Sequence, residues 1–181
     1  LYGNRFTTFT RISLLGYAFP GAVLALGIII PLAYIDNYID KLFVSYFDIS
    51  TGLILSGSIF ALLFAYLIRF IAIGYGAIDS GYLSINKNID MASISLGVRK
   101  FLTIKKIHIP LLKSSILIAS IIVFVDTMKE LPATLILRPF NFDTLATNVY
   151  QLASDELLEQ SSLSALTIVL VGIVPLIFLT R

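Results

Sequence analysis

The chain has 181 residues, 57 % of them hydrophobic and only 13 % charged, with a mean hydropathy of +0.93. A soluble domain carries roughly 25 % charged residues, so the composition argues against a water-soluble enzyme and against disorder. Cysteine is absent, His108 is the single histidine, and the net charge is +2, which excludes disulfides, thiolate or histidine-cluster metal centres and a nucleic-acid footprint.

Residues 1–11 carry Arg5 and Arg11 and no acid. The stretch 12–35 is free of charge. A helix of that length, rising about 1.5 Å per residue, exceeds the roughly 30 Å hydrocarbon core of a bilayer. It reads as a first membrane span, kinked at Pro20 and Gly21. A loop over 36–48 follows, with Asp36, Asp40, Lys41 and Asp48. The second span is expected over 49–78, its uncharged part ending at Arg69. That arginine reads as a snorkelling anchor, with a pathway or interhelical contact as the alternative.

The 79–113 loop holds Lys87, Arg99, Lys100, Lys105, Lys106 and Lys113 against Asp79 and Asp90. It is long enough for one or two short helices. Asp90 is placed to cap a helix start, and Gly97 falls where a helix turns or breaks. His108, between Ile107 and Ile109, reads as a packing residue, and Pro110 marks the start of the next membrane segment.

The third segment, 114–137, is broken: an uncharged run ends at Val125, Asp126, Lys129, Glu130 and Pro132 follow, and the apolar patch ATLIL closes at Arg138. Each charge facing lipid costs about 2.5–3.5 kcal/mol on insertion scales. These groups therefore face protein or a water-filled cavity. On a helix Asp126 lies one turn from both Lys129 and Glu130, and one lysine neutralises one acid. The other acid needs an outside partner, a proton or a passing cation. A structural ion pair, interfacial placement with Lys129 snorkelling outward, and a place in a translocation pathway or gate are all open, with Pro132 freeing a backbone carbonyl nearby.

The segment 138–160 is acidic, with Arg138 against Asp143, Asp155, Glu156 and Glu159. Phe140 and Phe142 form an interfacial aromatic cluster. Leu145, Val149 and Leu152 have helical spacing, predicting an amphipathic helix from Thr144 to Ser154 that either shields a pore mouth or docks a partner. Tyr150 lacks neighbouring histidine or carboxylate partners and reads as an interfacial anchor rather than a metal ligand. The last span is expected over 161–180. Basic segments stay inside, so the alternation of basic and acidic loops puts both termini and the 79–113 loop in the cytoplasm, with four crossings between.

The run DMASISLGVRKFLTIKKIHIPLL resembles the cytoplasmic EAA loop of ABC importer permeases. Gly97, Ile107 and Pro110 match at the spacings of that motif, and Ala92 matches its first alanine. Met91 stands where the motif has glutamate, Ser93 where it has a second alanine, and Asp90 supplies an acid one position early. VDTMKELPATLILRPFNFDTLATNVYQLASDE resembles the second half of the two-domain ferric iron permeases, as do SLLGYAFPGAVLALGI and YLIRFIAIGYGAIDSGYL.

The resemblance implies an all-α polytopic transmembrane helical bundle of the type I ABC importer permease (MetI-like) fold. It implies one membrane domain over 1–181, the C-terminal portion of a fused permease. The 79–113 loop would be the ATPase-coupling device, through Asp90, Met91, Ala92, Gly97, Ile107 and Pro110. The implied function is ferric iron import across a bacterial cytoplasmic membrane. The implied partners are ABC ATPase subunits carrying ATP and Mg, a periplasmic or extracellular iron-binding protein, a second permease half and membrane lipid, with no nucleic acid. No G-x-x-x-x-G-K-[ST] run is present, so nucleotide phosphates are not cradled here in the usual way. The chain is expected to be non-catalytic and to hold neither cofactor nor metal. The same fold importing thiamine, molybdate, sulfate or a polyamine is the alternative, and an ion-coupled carrier without an ATPase a further one.

Overall fold

The computed structural model describes residues 14–86 and 88–179, the side chains of 176, 178 and 179 excepted. The inside expectations for Arg5, Arg11, Lys87 and Arg181 lie outside those residues. Among the described residues every regular element is helical. We number the helices α1 (Gly21–Phe47), α2 (Ile59–Leu83), α3 (Asn88–Ser95), α4 (Lys100–Leu111), α5 (Lys113–Met128), α6 (Pro132–Leu137), α7 (Leu145–Ser154) and α8 (Leu158–Leu179).

α1, α2 and α8 are each long and apolar enough to cross a membrane, and α4 with α5 makes a fourth if that bent pair is one span. The burial pattern is inverted relative to a soluble domain. Only 17, 28 and 11 % of the most apolar windows of α1, α2 and α8 are buried, while Asp36, Glu130, Thr134 and Thr147 are enclosed. Large apolar side chains turned outward and polar groups turned inward suit a lipid solvent.

The core is a seam of small residues. Ala25 and Ile28 of α1, Ala61, Leu62 and Ala65 of α2, and Ala133 and Leu137 of α6 form one buried cluster. Between helices in lipid, close packing and interhelical hydrogen bonds drive association, because tails are as apolar as leucine. Alanines let the short α6 wedge between α1 and α2. On one side α2 packs along α5, and on the other α7 packs along α8.

The helix limits differ from the expected spans for local reasons. The 12–35 stretch is interrupted at Phe19 and Pro20, and the long helix begins at Gly21. It then continues through the expected 36–48 loop to Phe47 and closes on Asp48, whose backbone is left-handed (φ 55°) and whose N–H donates to the Val44 carbonyl. The charges of that stretch are tolerated because the following segment folds back onto them. Asp36 accepts the N–H groups of Leu55 (2.9 Å) and Ser56 (2.7 Å) and the Ser56 hydroxyl (2.6 Å). Asp40 accepts the Ser50 hydroxyl and the N–H groups of Thr51 and Gly52. Residues 49–58 are therefore a strap across α1, and the second helix starts only at Ile59, where the Ser58 hydroxyl accepts the Phe60 N–H.

The predicted helix over 144–154 is present as α7. Thr144 and Thr147 satisfy each other's backbone N–H groups in a capping box. The third segment has two discontinuities. α4 meets α5 at a 68° bend at Leu112, and α5 ends at Met128, with three residues between it and the start of α6 at Pro132.

Candidate functional site

Two places collect the residues that sequence reasoning singled out. The first is the break between α5 and α6. Asp126 and Lys129 pair one helical turn apart, with Nζ 2.6 Å from Oδ1, and the lysine is 63 % exposed. The acid left over, Glu130, is not free. Arg69 of α2 places its Nε 3.1 Å from Glu130 Oε2, with the side chains 16 and 7 % exposed respectively. So Arg69 is an interhelical partner here and not a snorkelling anchor. The physical reason is that the carboxylate lies within reach at the same depth, and a paired charge costs far less than a lone one.

Glu130 is also built into the start of α6. Its Oε1 accepts the Ala133 N–H at 3.3 Å, serving one of the backbone donors that a helix start leaves unpaired, and its carbonyl accepts the Thr134 hydroxyl at 2.8 Å. The Tyr66 hydroxyl lies 2.5 Å from Thr134 Oγ1, extending the polar seam to α2. Pro132, at the first turn of α6, gives up no hydrogen bond that the helix needs. Arg69 Nη1 donates to the Phe19 carbonyl at 3.1 Å, where the chain enters α1. Its guanidinium carbon lies 6.0 Å from the Tyr17 ring centroid, the outer limit of a useful cation–π contact. Gly21 is what lets α1 approach. A Cβ there would lie 2.6 Å from Glu130 Oε1 and 3.1 Å from Arg69 Nη1.

The second place is the elbow formed by α3 and α4. Gly97 has φ 67° and ends α3 in a Schellman turn. Its N–H bonds the Ile94 carbonyl, and the Val98 N–H bonds the Ser93 carbonyl, both at 3.0 Å. The helical turn or break expected at this glycine is thus a left-handed cap. Asp90 does not cap α3, which begins at Asn88. Its side chain crosses instead to His108, Oδ1 to Nε2 2.7 Å. His108 is buried, and its ring sits 5.5 Å from that of Tyr82 near the end of α2. Ser93 and Thr103, both buried, share a hydrogen bond at 3.1 Å.

Within α4, Ile104–His108 form a π-helical turn. Pro110 lacks an N–H and its ring crowds the carbonyl four residues back, so the widened turn just before it relieves that clash. Pro110 falls in the last turn of α4, before the bend at Leu112, and not at the start of α5. Met91 and Ala92 are exposed, and Ile107 is half-buried.

Sequence reasoning did not find the Arg69–Glu130 pair, the Asp90–His108 pair or the strap on Asp36. A usable signal existed for the first. Arg69 is the basic residue bordering an uncharged stretch, and the 126–130 cluster carries one acid too many. For Asp36 the signal was an acid at the end of an apolar stretch, followed by the turn-rich run STGLILSGS with backbone donors to spare. No group of three or more His, Cys, Asp or Glu able to hold a metal ion occurs among the described residues.

No protein-family model and no solved structure matches the chain. Three curated proteins are similar to it. The Fe(3+)-transport system permease protein FbpB 2 of Haemophilus influenzae is 25 % identical over 171 residues, covering 94 % of this chain and 31 % of the relative. The ferric transport system permease protein FbpB of Actinobacillus pleuropneumoniae is 27 % identical over 169 residues, covering 93 % of this chain and 24 % of its own length. The putative ferric transport system permease protein FbpB 1 of Haemophilus influenzae is 26 % identical over 154 residues, covering 85 % and 24 %. The chain thus resembles ferric transport permeases along most of its length, and it spans 24–31 % of the length of these relatives.

Proposed function

We propose that this chain forms part of the membrane permease of an ATP-driven, binding-protein-dependent importer that moves ferric iron across a bacterial cytoplasmic membrane. The observation that carries the reading is the similarity, over 85–94 % of the chain, to three proteins all named as ferric transport permeases. The outward apolar surfaces of α1, α2 and α8 support a multi-pass membrane setting. In this reading the chain catalyses no reaction and carries no cofactor. ATP and Mg are bound by separate ATPase subunits, and a binding protein brings iron to the opposite face.

The elbow is the proposed coupling device over 79–113. Exposed Met91 and Ala92 offer a docking surface, and half-exposed Asp90 is tied to buried His108. Gly97 fixes the angle between α3 and α4, while Asp90–His108 and Ser93–Thr103 make the two helices move together. Displacement of α3 is then passed to α2 through Tyr82 and to α5 through the bend at Leu112. The far end of α5 is the polar break. Asp126, Lys129, Glu130 and Pro132 are the proposed gate, because half-helix ends at membrane depth are where transporters handle ions.

Uptake of radiolabelled ferric iron by cells lacking this chain is the test. Uptake is expected to fall to background and return with the wild-type gene, leaving thiamine, molybdate, sulfate and polyamine uptake unchanged. Loss of one of those four with iron uptake intact overturns the substrate assignment.

A further inference from the structure

We propose that Arg69 is the lock of the Glu130 gate, a positioning residue whose guanidinium holds the break between α5 and α6 in its closed arrangement. The inference rests on the reading of Glu130 as part of the gate. It adds a residue on a different helix that no motif marks.

Two discontinuities of the chain converge on this one side chain of α2. Arg69 reaches the carboxylate that opens α6 through Nε and the Phe19 carbonyl, just before α1, through Nη1. The carboxylate in turn holds the Ala133 N–H of α6. Gly21 admits α1 against both members of the pair. The start of α1, the start of α6 and the middle of α2 are thus held at a single point. Removing the guanidinium releases two of those attachments at once.

The charge count makes the contact a switch and not just packing. Lys129, the nearest other cation in the chain, is engaged with Asp126 and largely exposed. Among the described residues Arg69 is therefore the cation that compensates Glu130. Nε has no hydrogen-bond acceptor in its own geometry and faces the carboxylate as a charge. A pair held mainly by charge in a low-dielectric setting is strong while intact. It gives way when another cation takes over the carboxylate. That suits a gate met by a cationic cargo.

The chain has no native cysteine, so a single Leu131→Cys substitution at the break reports access to a membrane-impermeant thiol reagent. The measurement is the labelling rate in sealed cells producing the assembled transporter. It is made in the parent, in Arg69→Gln, in the neutral pair Arg69→Gln with Glu130→Gln, and in Arg69→Lys, which keeps a cation beside Glu130. The neutral pair leaves no uncompensated buried charge, so it keeps the test readable if Arg69→Gln alone fails to insert. Arg69→Gln and the neutral pair are expected to raise the rate about tenfold, the shift of a two-state equilibrium that has lost a favoured contact. Arg69→Lys is expected to stay within about threefold of the parent. A neutral pair labelled at the parent rate, or Arg69→Lys labelled as fast as the neutral pair, overturns the lock. A labelling pattern that follows the lock while ferric uptake proves absent leaves the lock standing and removes the iron assignment instead.

Discussion

Gly21 and Gly27 lie six residues apart on α1, yet the same substitution is expected to act on them with opposite sign. At Gly27 a new Cβ meets nothing within 4 Å. Alanine there only removes the conformational freedom of glycine, a gain of up to about 1 kcal/mol in a helix interior. At Gly21 the Cβ would stand 2.6 Å from Glu130 Oε1, 3.1 Å from Arg69 Nη1 and 3.3 Å from the Ala133 nitrogen. Those atoms belong to a buried ion pair and a helix start, which have little room to give. Overpacking of such a site costs about 1–3 kcal/mol, so the two variants should differ by about 1–4 kcal/mol from these terms together. The assay is the fraction of detergent-solubilised protein that survives heating as a monodisperse species, compared across Gly21→Ala, Gly27→Ala and wild type. Gly21→Ala should fail at a lower temperature than wild type and Gly27→Ala at the same or a higher one. A Gly21→Ala protein as stable as Gly27→Ala would show that α1 is not packed against the Arg69–Glu130 pair.

The strap over 49–58 should depend on Asp36. Asp36→Ala strands two N–H donors and a hydroxyl, at about 1–3 kcal/mol for each group left unpaired, and limited proteolysis of the detergent-solubilised protein should then cut within 49–58 sooner than in wild type. Equal cutting rates would remove Asp36 as the anchor. At Gly97 the obstacle to a side chain is the backbone alone, since φ is 67° and no atom lies within 4 Å of a new Cβ. Gly97→Val should therefore distort the turn by about 1–2 kcal/mol of left-handed strain, with Gly97→Asn close to neutral. The ratio of ATP hydrolysed to iron imported should rise in the valine variant and not in the asparagine one, and equal ratios would argue against the elbow as the coupling element.

Much of the architecture follows from stretches of sequence read one at a time. The uncharged runs mark where helices can lie in lipid, because the cost of transferring each charge is paid locally and needs no knowledge of a partner. The amphipathic spacing of Leu145, Val149 and Leu152 foretells α7, and Gly97 foretells the turn that ends α3. These are properties of single segments. The limits of α1 and α2 were not legible in the same way. The 36–48 stretch looks like a loop by its charges, yet it is helical because residues 50–56 return to serve Asp36 and Asp40.

What tertiary structure alone decided is the partnership of charges. Sequence leaves Glu130 with three possible fates, and only the packing of α2 against α6 selects Arg69, a residue 61 positions earlier in the chain (130 minus 69). Asp90 likewise turns from the expected cap to His108 because α4 folds back over α3. The energy of a charge in a membrane protein depends on burial and on what stands within a few ångströms. Both are properties of pairs of segments, and neither is encoded in the segment that carries the charge.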